Sequence, residues 1–464
     1  MDPGAPVNSN CKEAIRVFTK DKRFYRTFLF LCVTLMLEQA VILSVNLADN
    51  LMLGTYSEAA LSGVAAVNQI QFVFQQVVYA IGNGVILLGS QYRGKGQTGV
   101  IRKIASVGIL AEIIVAGALF ALVSLFPTGA LRLFTEQPDF IREGVDYLKI
   151  IRFSYLFFAL TAVLLSSMRV VESVRIALIV SVVSLVINIG INYLLISGNL
   201  GFPEMGARGA AIGTLAARVA EFAIVLAFVM RDKKLGWRFR CFLPLDGALA
   251  KDYARVTSQI LAASLIWGVS NALQTVTLGH MNDSAIAAQS ISNTVFLLLK
   301  VTAVGASSAA SVLIGKTVGE GDMPRLKQYA RTLQAIFVSI GVALAAAMLA
   351  IRVPLLSLYA PKISAETYDL ASVYMRIQAA VLLTMSYQMP TNTGIIRGGG
   401  DARFVLILDI VCTFTFVTLS MLGGLVWRWP AVAVIITLNV DQALKCVPAA
   451  IYANSYRWIK KLTR

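Results

Sequence analysis

Long stretches of this chain almost avoid charge, at 104–126, 174–197, 209–230, 333–350 and 404–426. About 20 apolar residues at a rise of 1.5 Å each are enough to cross ~30 Å of hydrocarbon as a helix. Five such stretches in one chain require a polytopic helical membrane protein. The composition agrees: 57% of the residues are hydrophobic and only 14% are charged, where a soluble domain carries roughly a quarter. A soluble metalloenzyme, a disordered chain and a secreted disulfide scaffold are excluded. The five cysteines (Cys11, Cys32, Cys241, Cys412, Cys446) form no CxxC pair, and His280 is the only histidine. With no HExxH, Walker loop or GxSxG present, no enzyme is expected and no cofactor is implied.

Hydropathy divides the chain into twelve spans: 27–50, 59–88, 104–126, 147–168, 174–197, 209–230, 257–279, 284–315, 333–356, 372–394, 404–426 and 431–453. The second and eighth are long and polar, and are expected to be tilted or irregular. Of the 41 Lys+Arg, 29 fall at one end, in 1–26, 93–103, 169–175, 231–255, 316–331, 397–403 and 457–464. Seven fall in the opposite connections and five within spans. The positive-inside rule then places both termini in the cytoplasm of an inner (plasma) membrane. It also accounts for the net charge of +16 without a nucleic-acid partner. Residues 1–26 are polar and basic, without the apolar core of a cleaved signal.

Shifted by 225, the two halves align without a gap over some sixty residues: Asn46 meets Asn271, Leu53-Gly54 meets Leu278-Gly279, Asn68 meets Asn293, and Gly94-Lys95-Gly96 meets Gly319-Glu320-Gly321. The repeat holds six spans, an even number, so both copies start from the same side and are related by an axis along the membrane normal. The expected organisation is a segment 1–26, a lobe at 27–230, a linker at 231–256, a second lobe at 257–453 and a tail at 454–464. Two similar bundles facing across a cleft suit an alternating-access transporter, expected to be monomeric.

Charges retained inside spans point to cavities or partners, because an isolated one costs about 2.5–3.5 kcal/mol. Asp49 is the strongest candidate, with Asn46 one turn before it. Glu38, three turns earlier, projects on nearly the same face. Two carboxylates on one helix face suggest a path for a proton or a cation such as Na⁺. Asn188 and Asn192, an i,i+4 pair in the fifth span, can complete a small polar site with Asp49. The second span carries Asn68, Gln69, Gln76, Tyr79 and Asn83, an amide-rich stripe suited to a wet cavity wall or to interhelical hydrogen bonds. Gln274, Asn293 and Lys300 are the cavity candidates of the second half, Lys300 as counter-charge to a carboxylate. Arg218/Glu221 and Asp441/Lys445 are spaced to neutralise themselves on their own helices. Asp409 is expected near the interface, and Glu112 has no evident partner. Arg397-Gly398-Gly399-Gly400-Asp401 reads as a tight turn.

These residues resemble the multidrug and toxic compound extrusion (MATE) family. "VNLADNLMLG" followed by "SEAALSGVAAVNQI" is similar to its first-span pattern, and "GNGVILLGSQYRGKG" to its Gly-rich close of the second span. "NIGINYLLISGNLGFPEMGARGAAIGTLAARVAE" resembles its fifth-to-sixth span signature. "IIRGGGDARF", "AAQSISNTVFLLL" and "SVLIGKTVGEGD" resemble later segments. The resemblance implies an all-α protein of twelve transmembrane helices in two pseudo-symmetric six-helix lobes. It also implies export of amphipathic compounds, expected to be cationic, driven by H⁺ or Na⁺. It places the family's first-helix aspartate at Asp49 and its fifth-helix polar pair at Asn188 and Asn192. The chain departs from the family pattern at Thr34, where a proline is common, and at Asn192, an aspartate in some members. Ser264 stands where many have a glutamate, and Glu38 where a glutamine is common. The alternative is a flippase for lipid-linked saccharides, which expects Arg152 and Arg376 to join Lys300 in a cationic cavity.

Overall fold

The computed structural model describes residues 18–237, 246–279, 283–359 and 363–463, and every regular element among them is helical. Twelve long helices follow one another: α1 (Lys22–Tyr56), α2 (Glu58–Gly94), α3 (Thr98–Leu125), α4 (Pro138–Ile151 continued by Ser154–Val170), α5 (Arg175–Leu195), α6 (Gly206–Arg231), α7 (Gly247–Gly279), α8 (Asp283–Glu320), α9 (Met323–Tyr359), α10 (Ala365–Met389), α11 (Ala402–Met421) and α12 (Ala431–Leu444 continued by Cys446–Ser455). Among the described residues, nine helices and the bent pair in α4 are long and apolar enough to cross a membrane. The remaining two long helices are α7 and α10. Side chains where helices begin satisfy their free amides. Asp21 Oδ1 accepts from Arg23 N at 2.9 Å before α1. Ser57 turns α1 into α2, its N–H donating to Leu53 O while its hydroxyl accepts from Ala60 N at 3.4 Å.

The irregularities fall elsewhere than expected. The second and eighth spans are unbroken helices of 37 and 38 residues, because their amides project sideways and leave the backbone ladder intact. The break lies in the fourth span, which begins at Pro138 rather than 147 and bends by 54° between Ile151 and Ser154. Wide π-helical turns follow α10 at Pro390–Ile396, where Pro390 withholds its N–H, and α11 at Leu422–Val426.

The two sets of six helices pack in matching ways. α2 packs on α3 and α4 as α8 does on α9 and α10, and α1 packs on α5 as α7 does on α11. The lobes meet through α1 on α8, α7 on α2, and α2 on α8, a set that a two-fold axis along the helices maps onto itself. The crossing of α2 and α8 shows that axis residue by residue. A side chain on Gly94 would strike the carbonyl of Lys316, and one on Gly319 would strike the carbonyl of Gln91. Positions 91 and 94 are those of 316 and 319 shifted by 225, so the aligned glycines exist to let two backbones touch.

This contact lies at the end of the molecule that carries the basic loops. Ion pairs close the lobes there: Glu172 with Lys316 at 2.6 Å, and Asp21 with Arg325 at 3.3 Å. The Tyr329 hydroxyl donates to Asp21 at 2.9 Å. That hydroxyl, with the amides of Arg23 and Phe24 and the Arg325 guanidinium, holds the Asp21 carboxyl below its ordinary range against the opposing pull of burial. Toward this end α2 and α8 are buried nearly all round, whereas toward the other end they show exposed positions such as Gln69 and Leu297. The cleft between the lobes therefore opens away from the basic end.

Candidate functional site

In the first lobe, α1, α5 and α6 converge on Asp49. Asn192 Nδ2 donates to Asp49 Oδ1 at 2.6 Å and to Asn188 Oδ1 at 3.2 Å, and Asn188 Nδ2 donates to Thr214 Oγ1 at 3.2 Å. Asn188 and Asn192 are 1% and 0% exposed. The four-residue spacing within α5 is what stacks the two amides on one face. Asn192 Oδ1 is buried without a hydrogen-bond partner. The cluster thus gathers a carboxylate, two amide oxygens and a hydroxyl, with one oxygen uncommitted. That donor set suits a proton or a small hard cation. Asp49 bonds inward to α5, and among the described residues no cationic side chain bonds to it. The nearest guanidinium, Arg218, is held by Glu221 on its own helix at 2.7 Å.

Glu38 does not join this cluster. It lies eleven residues before Asp49, about 16 Å along α1, and its carboxylate pairs with Arg169 of α4 at 2.5 Å. The sequence assigned Arg169 to a loop of the basic end, but its long stem reaches inward to the acid. Shared helix phase did not bring Glu38 and Asp49 together, because each found its partner on a different neighbouring helix. Asn46 is exposed and forms no bond to Asp49. Thr214 was missed, since a threonine in an apolar helix carries no pattern of its own. The sequence spacing did find the Arg218–Glu221 pair. Between the two charged sites, Tyr79 meets Phe158 edge-on at 6.0 Å, and Arg218 lies over the same Phe158 ring at 4.8 Å.

The amide stripe of α2 faces two ways. Gln76 lies where α2 meets α7, beside Gly268, and Gln69 and Tyr79 are exposed. Asn68 and Asn83 are half-buried. Across the cleft, Lys300 and Asn293 are half-buried on one face of α8. The Lys300 ammonium lies 4.8 Å over the Trp267 ring of α7, and Trp267 meets Phe72 of α2 at 6.0 Å. The side chain of Gln274 lies outside the described residues, as do His280, Cys11 and Cys241. Arg152 does not turn to the cleft: its guanidinium lies over Phe120 and Phe153, at 5.4 and 5.2 Å. Arg376 is exposed on α10.

The second lobe has a different interior. Lys445 bridges Asp441 and Asp409, each at 3.1 Å. Asp409 is therefore an ion-pair partner rather than a residue resting at the interface. From this triad a chain of amides runs inward: Gln442 donates to Asp441 at 2.9 Å, Gln388 to Gln442 at 2.7 Å, and Asn392 to Gln388 at 3.0 Å. Glu112 of α3 is fully buried, and neither carboxyl oxygen has a hydrogen-bond partner among the described residues.

The fold has close counterparts among solved structures. A variant of the Vibrio cholerae MATE transporter VcmN superposes with a TM-score of 0.85 at 16% identity, covering 95% of this chain and 98% of that one. A MOP superfamily transporter from Pyrococcus furiosus, whose binding pocket is described as having reverse polarity, superposes at 0.84 with 18% identity, covering 96% and 100%. At these identities the likeness concerns the fold. In sequence, a probable multidrug resistance protein NorM of Rhizobium meliloti is 24% identical over 426 residues, covering 87% of this chain and 89% of the relative. The MatE family model matches residues 35–194 and 260–422, one segment in each lobe. The match covers well over half of the chain, and this multi-pass membrane protein belongs to the MatE family of transporters.

Proposed function

We propose that this protein is an antiporter that exports amphipathic small molecules across the inner membrane by alternating access, driven by inward flow of H⁺ or Na⁺ through Asp49. The basic end is taken as cytoplasmic under the positive-inside rule, so the described state has its cleft open to the outside. The names of the relatives point to multidrug resistance, which supports an exported drug or metabolite. Sequence reasoning favours a cationic one.

The observation that carries the reading is the bonding of Asp49. Among the described residues only neutral amides bond to its carboxylate, beside an uncommitted amide oxygen, so an arriving cation need not displace a bonded positive charge. With Asp49 ionised, Asn192 is held toward α1 and the lobe keeps its substrate-holding packing. A proton or Na⁺ taken up from outside occupies the carboxylate, releases Asn192 and lets α1 shift against α5. Substrate affinity falls as the packing changes. Coupling requires the ion to bind the two states with different free energies, of order 1–3 kcal/mol for a roughly 5–150-fold effect.

The test is dye efflux from everted vesicles, with ΔpH and Na⁺ gradients imposed separately. Asp49→Asn should retain membrane insertion and thermal stability but lose gradient-driven efflux. Efflux at wild-type rate by that variant under both gradients removes Asp49 from the mechanism.

A further inference from the structure

Lys300 sits near the middle of α8, 17 residues from one end and 20 from the other, about 25 and 30 Å at helical rise. Among the described residues it forms no ion pair or hydrogen bond, only the contact over Trp267. Three other cations within the helices have found acids: Arg169 has Glu38, Arg218 has Glu221, and Lys445 has two aspartates, whereas Arg152 rests on aromatic rings. The side chains at 274–287 lie beyond description, but the only acid in that stretch is Asp283, at the far end of α8. An ionisable group kept at membrane depth without a partner marks a ligand site by default, and the ring face of Trp267 contributes only a modest part of what water would give. Trp267 lies against the ammonium and Phe72 against Trp267; Gln76 of α2 lies beside Gly268, and Asn293 shares the α8 face of Lys300 two turns away.

We infer that Lys300 is the anion receptor of the cleft, and that the exported compound carries a single negative group, of the carboxylate class, on an aromatic body. This rests on the transporter reading and narrows it: purely cationic amphiphiles are the poorer substrates, and zwitterions with a carboxylate the better ones. One ammonium matches one negative charge. With Arg152 turned to α3, the described residues do not bring to Lys300 the further cations that a lipid-linked pyrophosphate would require.

The experiment uses three probes sharing one fluorophore: dansylcadaverine (cationic), dansylglycine (anionic) and Nε-dansyl-lysine (zwitterionic). Binding to the purified full chain is read by energy transfer from tryptophan to dansyl, and export by proteoliposome efflux. The wild type should bind the two carboxylate probes at least tenfold more tightly than dansylcadaverine. Lys300→Gln should erase that preference without weakening dansylcadaverine binding, and Lys300→Arg should keep most of it. A wild type that prefers dansylcadaverine, or a Lys300→Gln that weakens all three alike, overturns the inference. Charge-selective binding without any efflux upholds the receptor and defeats the transporter reading instead.

A second, independent observation concerns the segment after α12. Gln91 of α2, fully buried, donates to Lys460 O at 3.1 Å and accepts from Leu462 N at 2.8 Å. The same segment binds the other lobe: Lys460 N donates to Gly399 O at 2.9 Å, and Lys460 Nζ pairs with Asp401 at 2.7 Å. Leu462 packs with Ala80 and Leu87 of α2, Val256 and Ile260 of α7, and Ala402 of α11. Trp458 is fully buried against Gly399, where any side chain would collide with its ring, and Gly400 holds a φ of +113° beside Lys460. The glycines of the 397–401 turn thus form a receptor for this segment. The geometry points to residues 456–462 as a strap that ties the lobes shut at the basic end and must leave before that end opens. Hydrogen exchange by mass spectrometry on a variant lacking 456–464 should show exchange at least tenfold faster in 84–94 of α2 and 305–320 of α8. Acceleration confined to the 397–405 turn shows a local brace and overturns the strap.

Discussion

The two lobes descend from one repeat, yet they handle buried charge in opposite ways. The second lobe neutralises its acids internally: Lys445 holds both Asp409 and Asp441, and amides bond onward from there. The first lobe pairs Glu38 and Glu221 with arginines but leaves Asp49 to neutral amides. Across the cleft the second lobe presents a charge of the other sign, Lys300, which has no ion-pair partner among the described residues. A carboxylate already bound to a buried ammonium gains little from an incoming cation, because that cation must displace a bond formed in low dielectric. A carboxylate bonded only to amides gains the full interaction. Duplication therefore supplied two scaffolds, and the difference in partners made one of them exchangeable and the other structural.

The comparison breaks most sharply at Lys445. Lys445→Met leaves two carboxylates facing each other, and truncating one member of a buried ion pair costs about 3–5 kcal/mol. Thermal unfolding in detergent should show the largest loss of any single change here. Combining it with Asp409→Asn and Asp441→Asn should recover most of that loss. If the single variant melts like wild type, the second lobe does not depend on its triad and the contrast fails. Glu38→Gln should cost less, about 1–3 kcal/mol, because the orphaned Arg169 is 18% exposed at its side chain and can turn toward water. A loss for Glu38→Gln that exceeds that for Lys445→Met reverses the ranking of the lobes.

Much of this was legible in the sequence, and the residues show why. Span number and repeat were readable because lipid imposes length and apolarity on every crossing. The cluster of Asp49, Asn188 and Asn192 was readable because an acid and an i,i+4 amide pair are costly in a membrane and so conspicuous there. Partners on other helices were not. Nothing local tells that Arg169 reaches Glu38, that Asp409 meets Lys445, or that Thr214 ends the amide chain, since each depends on which helix faces which. The bend in α4 and the fit of Trp458 against Gly399 likewise depend on tertiary contact.

A smaller effect should appear with pH at the basic end. Asp21, facing Tyr329, Arg325 and Arg23, is held below the ordinary carboxylate range. Asp401 is too, although burial opposes it, through the Lys460 ammonium, the Tyr452 hydroxyl and the Phe404 amide. A carboxyl depressed in the closed state stabilises that state above its ordinary value of 3.8. That contribution is lost as pH falls through the lower closed-state value. Amide protection near Asp21 and Asp401, taken relative to the intrinsic exchange rate, should thus stay flat from pH 8 to 5 and fall only in stronger acid. A loss of protection between pH 7 and 6 would require a different titrating group.

The smallest expected effect is at Glu112, and it tests whether the first lobe's contrast with the second belongs to Asp49 alone. Glu112 is a buried acid of the same lobe with no protein cation beside it, so by count it resembles Asp49. It differs in having no amide on either oxygen. With nothing bonded to the carboxyl, an amide of the same shape surrenders no contact. Glu112→Gln should shift stability by no more than about 1 kcal/mol and leave the ion dependence of efflux unchanged. Should Glu112→Gln instead abolish gradient-driven efflux as Asp49→Asn does, a missing cation partner is what marks an exchangeable acid here. The arrangement of amides around Asp49 would then be incidental.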